Sequence, residues 1–149
     1  ICMDEYAGPT YCVPAVNSTG NAATLVAIGS NYLNSNFDMR LRATQLPAQS
    51  LHFYIVSMTQ GYVVNAVGSE GNLCLGGFIG RYVAPGQVQN ATVGGVSQFT
   101  PPLNSTPQPS GNVAITSGQT WNWQCWYRDQ ASNGQATSNF APGVEVFFQ

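Results

Sequence analysis

The chain contains no lysine, and its four arginines and six acidic residues make charged side chains only 7% of 149 positions. Soluble domains usually carry about 25%. A formal charge of −2 and no basic stripe leave nothing to neutralise a phosphate backbone, which argues against nucleic-acid binding and against attraction to an anionic membrane surface. Also missing is any run of the ~18–20 apolar residues that a spanning helix needs, so no membrane insertion is expected. No cationic stretch precedes an apolar segment in the manner of a signal peptide. The chain starts at Ile1 rather than Met, and is expected to be processed or an excised part of a longer protein.

Catalytic groups are equally scarce. His52, inside the apolar run Leu51 to Met58, is the only base of its kind for nucleophilic hydrolysis, and is expected to be structural. A glycosidase needs two carboxylates flanking a sugar. Of Asp4, Glu5, Asp38, Glu70, Asp129 and Glu145, Asp38 alternates with Arg40 and Arg42, and Glu145 with Val144 and Val146, as solvated strand charges do. No D-x-D-x-D loop suggests calcium. Gly71 to Gly80 (GNLCLGGFIG) lacks the Gly-Lys-Ser/Thr ending of a phosphate loop and is expected to be a turn and a glycine-relieved strand. Arg81 and the Arg128–Asp129 pair are assigned to ordering ion pairs or hydrogen bonds at strand ends. No catalytic set, metal site or cofactor is expected.

What is abundant is core material and uncharged polarity. Hydrophobic residues make up 44%, including seven Tyr, seven Phe and three Trp, so the chain should fold rather than remain disordered. Short apolar or alternating runs recur between Gly, Pro, Asn and Ser clusters, and none keeps a helical period for ten residues. About nine strands are expected, at 24–28, 37–43, 51–58, 61–67, 73–82, 93–99, 112–116, 120–128 and 144–148, with 51–58 and 61–67 forming a hairpin. In the segment 120–128, Trp121, Trp123, Cys125 and Tyr127 share one face, and Asn122, Gln124, Trp126 and Arg128 the other. The proline-rich stretch Pro101 to Gly111 is expected to lie over the surface without marking a domain boundary. The fold expected is all-β: a two-sheet antiparallel β-sandwich of jelly-roll or immunoglobulin-like kind.

Cys2, Cys12, Cys74 and Cys125 match no zinc spacing, and their even number points to two structural disulfides in an oxidising compartment. Three connectivities are open. Asn17, Asn90 and Asn104 begin N-x-S/T triplets and are candidate glycan acceptors.

Tyr11-Cys12, Asn17-Ser18-Thr19-Gly20, Ile28-Gly29-Ser30, Gly71 to Gly77, Ile79-Gly80-Arg81-Tyr82, Pro107 to Gly111, Trp121 to Asp129 and Ser138-Asn139-Phe140 together resemble a module of exported, largely uncharacterised proteins of environmental bacteria. The likeness runs from about Tyr11 to Phe148 and implies location better than activity. It implies that residues 1–10 are a leading segment, able to add a strand to their own sheet or a neighbour's, before a single domain at 11–149. It implies that Asn17 to Gly20 is a turn rather than a glycan site, and that Cys12 pairs with Cys74 and Cys2 with Cys125. Two departures remove acidic residues that such modules often carry: Ser-Asn-Phe-Ala-Pro-Gly stands where Thr-Asp-Gly is common, and no Asp precedes Pro107. Asn104-Ser105-Thr106 stands there instead, as an exposed candidate glycan site.

Two functions follow as expectations. Charge poverty opposes self-association only weakly, which suggests a secreted or cell-surface structural subunit that binds copies of itself in a filament or layer, with the leading segment as a connecting strand. The alternative is a carbohydrate-binding or adhesive module, with glycans as partners and Trp126, Tyr127 and Tyr82 as sugar-stacking rings.

Overall fold

The computed structural model describes residues 5–34 and 39–149. Its strands are β1 Tyr6–Gly8, β2 Thr10–Tyr11, β3 Thr24–Ile28, β4 Arg40–Thr44, β5 Leu51–Ser57, β6 Thr59–Val64, β7 Asn72–Gly76, β8 Gly80–Arg81, β9 Gln89–Asn90, β10 Ser97–Phe99, β11 Thr120–Gln130, β12 Ala136–Phe140 and β13 Gly143–Phe147, with one 3-10 turn at Ala66–Gly68. Every strand pairing is antiparallel. The all-β class is therefore as expected. The number of sheets is not: there are three rather than two.

The first sheet runs β1–β3–β4–β10, and the second β2–β13–β11–β5–β8, with β12 also paired to β11 and β9 to β5. Their inner faces share one core. Leu25 and Ala27 of β3, Leu41 and Ala43 of β4, and Phe99 of β10 meet Trp121, Trp123, Cys125 and Tyr127 of β11 and Tyr54 and Val56 of β5. The two-residue period makes this possible, because each of these sets lies on one side of its strand. Aromatic contacts fill the space between. Phe99 stacks on Tyr54 with centroids 5.1 Å apart and meets Tyr82 edge-on at 4.9 Å.

β6 and β7 make the third sheet, which corrects the hairpin expected between 51–58 and 61–67. The physical cause lies at the end of β5. The Ser57 hydroxyl donates to the Gly76 carbonyl and accepts from the Thr59 N–H, turning the chain off the second sheet and tying it to β7. β5 then takes β11 on one edge and the short strands β8 and β9 on the other. The expected strand at 112–116 is reduced to one bridge between Thr106 and Val113. The proline-rich loop before it crosses β8, where a side chain on Gly80 would place its Cβ 1.7 Å from the Pro107 carbonyl oxygen. The expected strand 37–43 is seen as β4; Phe37 and Asp38 lie outside the described residues.

The described part of the leading segment adds a strand to each main sheet of its own chain: β1 pairs with β3 and β2 with β13. Gly8 sits at the crossing, where a Cβ would lie 1.8 Å from the Glu145 carbonyl oxygen. Cys12, one residue beyond β2, is disulfide-bonded to Cys74 of β7, with Cα atoms 6.4 Å apart. The third sheet is thus fastened covalently to the edge of the second.

Candidate functional site

β11 organises both faces of the second sheet. Its outward side chains change from buried to open along the strand. Asn122 and Gln124 lie beneath the β6–β7 hairpin, and Trp126 and Arg128 lie beyond it. Gln124 holds the hairpin down. Its Oε1 accepts the Cys74 N–H at 2.9 Å, and its Nε2 donates to the carbonyls of Asn72 and Ala141, each at 2.8 Å. Asn122 adds a second tie, accepting from Gln60 Nε2 at 3.0 Å.

Where the hairpin ends, the outer face opens into a groove of about 520 Å³. Its floor follows from strand register: Trp126 stands opposite Phe53 of β5 on one side and Phe140 of β12 on the other. The Phe53 and Trp126 rings lie 4.9 Å apart, tilted by 33°. Ile55, Leu73 and Ile79 complete the apolar lining, and the turn residues Ala66 and Val67 form one wall. Val67 adopts a left-handed conformation (φ 53°, ψ 36°) with its side chain fully exposed. That geometry is a steric cost for a β-branched residue, of a kind found at ligand clamps.

Two of the four arginines reach this groove. The Arg128 guanidinium lies over the Trp126 ring, 4.9 Å from its centroid, and Arg81 enters from β8. Neither guanidinium has a hydrogen bond or ion pair to another described residue, which corrects their assignment as strand-end ties. Among the described residues, no carboxylate lines the groove. Asp129 points the other way, as alternation requires, and accepts from the Ser18 N–H and Asn139 Nδ2. Glu70 touches the rim only through its backbone, donating to the Ser138 carbonyl.

The other expected sugar-stacking rings are core residues. Tyr82 is 0% exposed, and its hydroxyl accepts from Trp123 Nε1 at 3.0 Å. Tyr127 is also 0% exposed, and Asn17 Nδ2 donates to its hydroxyl at 3.0 Å. Burial raises the phenol pKa of both. The alternation that put Tyr127 beside Trp121 and Trp123 already signalled its inward direction.

Of the candidate glycan acceptors, Asn17 is buried. Its amide also donates to the Gln45 carbonyl, and its Oδ1 accepts the Thr19 N–H and hydroxyl, so it is a turn. Asn90 is exposed with Nδ2 donating to the Gln49 carbonyl, and Asn104 is exposed although Thr106 of its triplet is buried. Cys125 is a free, fully buried thiol whose pKa burial raises, which corrects the pairing expected with Cys2. Cys2 itself lies outside the described residues.

Family models, curated proteins and solved structures were compared with the chain. None matches. What the site can do therefore rests on its geometry.

His52 has the connections of a catalytic base without the access. Its Nδ1 lies 3.1 Å from the Ser50 carbonyl, which can only accept, so this nitrogen carries the proton. Burial holds the imidazole pKa below its ordinary value, with the Ser50 bond partly opposing. The neutral Nε2 then accepts from the Ser97 hydroxyl at 2.6 Å, and the Ser97 oxygen accepts from Tyr54 at 2.8 Å. Ser97 and His52 are both buried between the sheets. The chain of hydroxyls is closed on itself, and the groove does not reach it. Among the described residues, no group of three His, Cys, Asp or Glu side chains is placed to hold a metal, and no helix is long and apolar enough to cross a membrane.

Proposed function

We propose that the protein is a non-catalytic carbohydrate-binding module of the cell exterior, a β-sandwich of jelly-roll or immunoglobulin-like kind whose groove beside Trp126 takes a glycan. The observation that carries this is the groove itself. An aromatic floor of the half-buried Phe53 and Trp126, underlain by the buried Phe140, lies beside the hairpin that covers Asn122 and Gln124 on the same face. Sugars bind by laying apolar C–H faces on such surfaces while a few polar groups fix their hydroxyls. The two guanidinium groups and Ser138 supply the polar groups here. An exterior location is supported by the Cys12–Cys74 disulfide, which persists in oxidising compartments, and by the resemblance to exported modules.

A glycan array tests this directly. Binding should be present in the parent protein and lost in Phe53→Ala and Trp126→Ala variants that retain the parent's circular dichroism and thermal transition. A blank array for the parent protein, or binding unchanged in both variants, overturns it.

A second reading, self-association, is favoured by β6. Tyr62, Val63 and Val64 are 60, 50 and 59% exposed, and the outer edge of β6 has no strand partner among the described residues. Such an edge can accept a strand from another copy. Concentration-dependent sedimentation abolished by Val63→Lys supports this reading; a monodisperse monomer at high concentration, with no fibres in micrographs, counts against it.

A further inference from the structure

We infer that the groove selects glycans bearing carboxylates, and that Arg81 and Arg128 each hold one at opposite corners of the aromatic floor. This rests on the glycan-binding reading of the groove. Three observations carry it. Both guanidinium groups line one cavity without a bonded partner among the described residues, and the cavity contains no carboxylate to neutralise them. In a chain of formal charge −2, half of all the cations are gathered at this one site. Trp126 also holds Arg128 over its ring, an arrangement that keeps the charge at the floor rather than free in solvent.

The spacing of the two arginines defines the size of the ligand. Arg81 stands opposite Ile55, which stands opposite Gln124 on its other side, and Arg128 lies four residues further along β11. With strands ~4.8 Å apart and a rise of ~3.4 Å per residue, the two Cα atoms are about 17 Å apart. Two cations carried on strands this far apart suit a short run of linked uronic acids, which bears repeated carboxylates along its length. Each guanidinium can take a carboxylate through two parallel N–H donors. The rings between them rest on Phe53, Ile55 and the Val67 wall.

The test uses oligogalacturonates of increasing length and their methyl esters, with neutral galactan oligomers as reference, measured by calorimetry on the whole protein. Affinity should rise from the monomer to the oligomer, and the acid should bind about tenfold or more tightly than its ester. Arg81→Gln and Arg128→Gln should each remove most of that preference. Arg42→Gln, an exposed arginine on the first sheet, should leave it unchanged. Equal binding of acid and ester overturns the inference while leaving the glycan reading standing. Loss of binding in Arg42→Gln equal to that in the groove variants also overturns it, because the attraction would then be diffuse. No binding of any oligomer, acidic or neutral, overturns both.

Discussion

Replacing Gln124 with Met should destabilise the protein by about 3–5 kcal/mol, because that one amide satisfies three backbone groups at once. Methionine keeps the length and volume of the side chain, so little packing is lost. What is lost is the acceptor for the Cys74 N–H and the donors to Asn72 and Ala141. The Cys74 and Ala141 groups face the buried side chain, and an unpaired buried polar group costs about 1–3 kcal/mol. The Asn72 carbonyl is nearer the surface, where water can replace its partner. The disulfide cannot offset this loss, since it constrains Cys12 and Cys74 without supplying either with a hydrogen bond. Guanidinium chloride unfolding under oxidising conditions, followed by tryptophan fluorescence, measures the change at constant slope. The companion variant Gln124→Glu sharpens the test. Its carboxylate retains an acceptor but faces two carbonyl oxygens, so it should be at least as unstable at neutral pH and recover partly in acid, where a protonated carboxyl donates again. A loss below about 1 kcal/mol for Met, or no acid recovery for Glu, would refute the reasoning.

Other outcomes follow from the same geometry. Because His52 is held neutral, with its pKa below the usual value, the unfolded chain binds more protons as pH falls below about 6.5. Stability should therefore be full above that pH and decline below it, at no more than about 1.4 kcal/mol per pH unit from this residue; comparing parent and His52→Gln denaturation between pH 7.5 and 5 isolates the slope. Removing the disulfide by Cys12→Ala with Cys74→Ala should cost about 4 kcal/mol, the loop-closure entropy for a separation of 62 residues, read as a lower denaturation midpoint. Val67→Gly should raise the thermal midpoint, with a gain of about 1 kcal/mol from relieving the left-handed valine; an unchanged or lower midpoint would show that the turn carries no such strain.

The core of this fold was legible where one strand is long enough to display its period. In β11, Trp121, Trp123, Cys125 and Tyr127 read as one face and form one buried row. Strand partners were less legible, because the polar turn after β5 marks where the chain bends and not which strand it joins. The choice of β7 depends on Ser57 meeting a carbonyl 19 positions away. β1, β2 and β9, two or three residues each, are too short to show any alternation. Several of the motif residues singled out in the sequence form a buried polar network: Asn17 bonds to Tyr127, and Asp129 joins Ser18 to Asn139. These residues join the ends of the chain. Arg81 and Arg128 were legible as charges but not as a pair, because they come from strands 47 positions apart and meet only through the register of β5 with β8 and β11.

The disulfide also sets how the molecule responds to tension. A pull on the chain from the N-terminal side first peels β1 from β3 and β2 from β13, and then meets Cys12. From there the load passes through sulfur to Cys74, a sequence separation of 62, so about 200 Å of extended chain is withheld from stretching. β3, β4, β5 and β6 all lie inside that covalent loop. Such a pull would thus yield a short length and then hold, with β3 and β4 of the first sheet and β5 of the second shielded from the force.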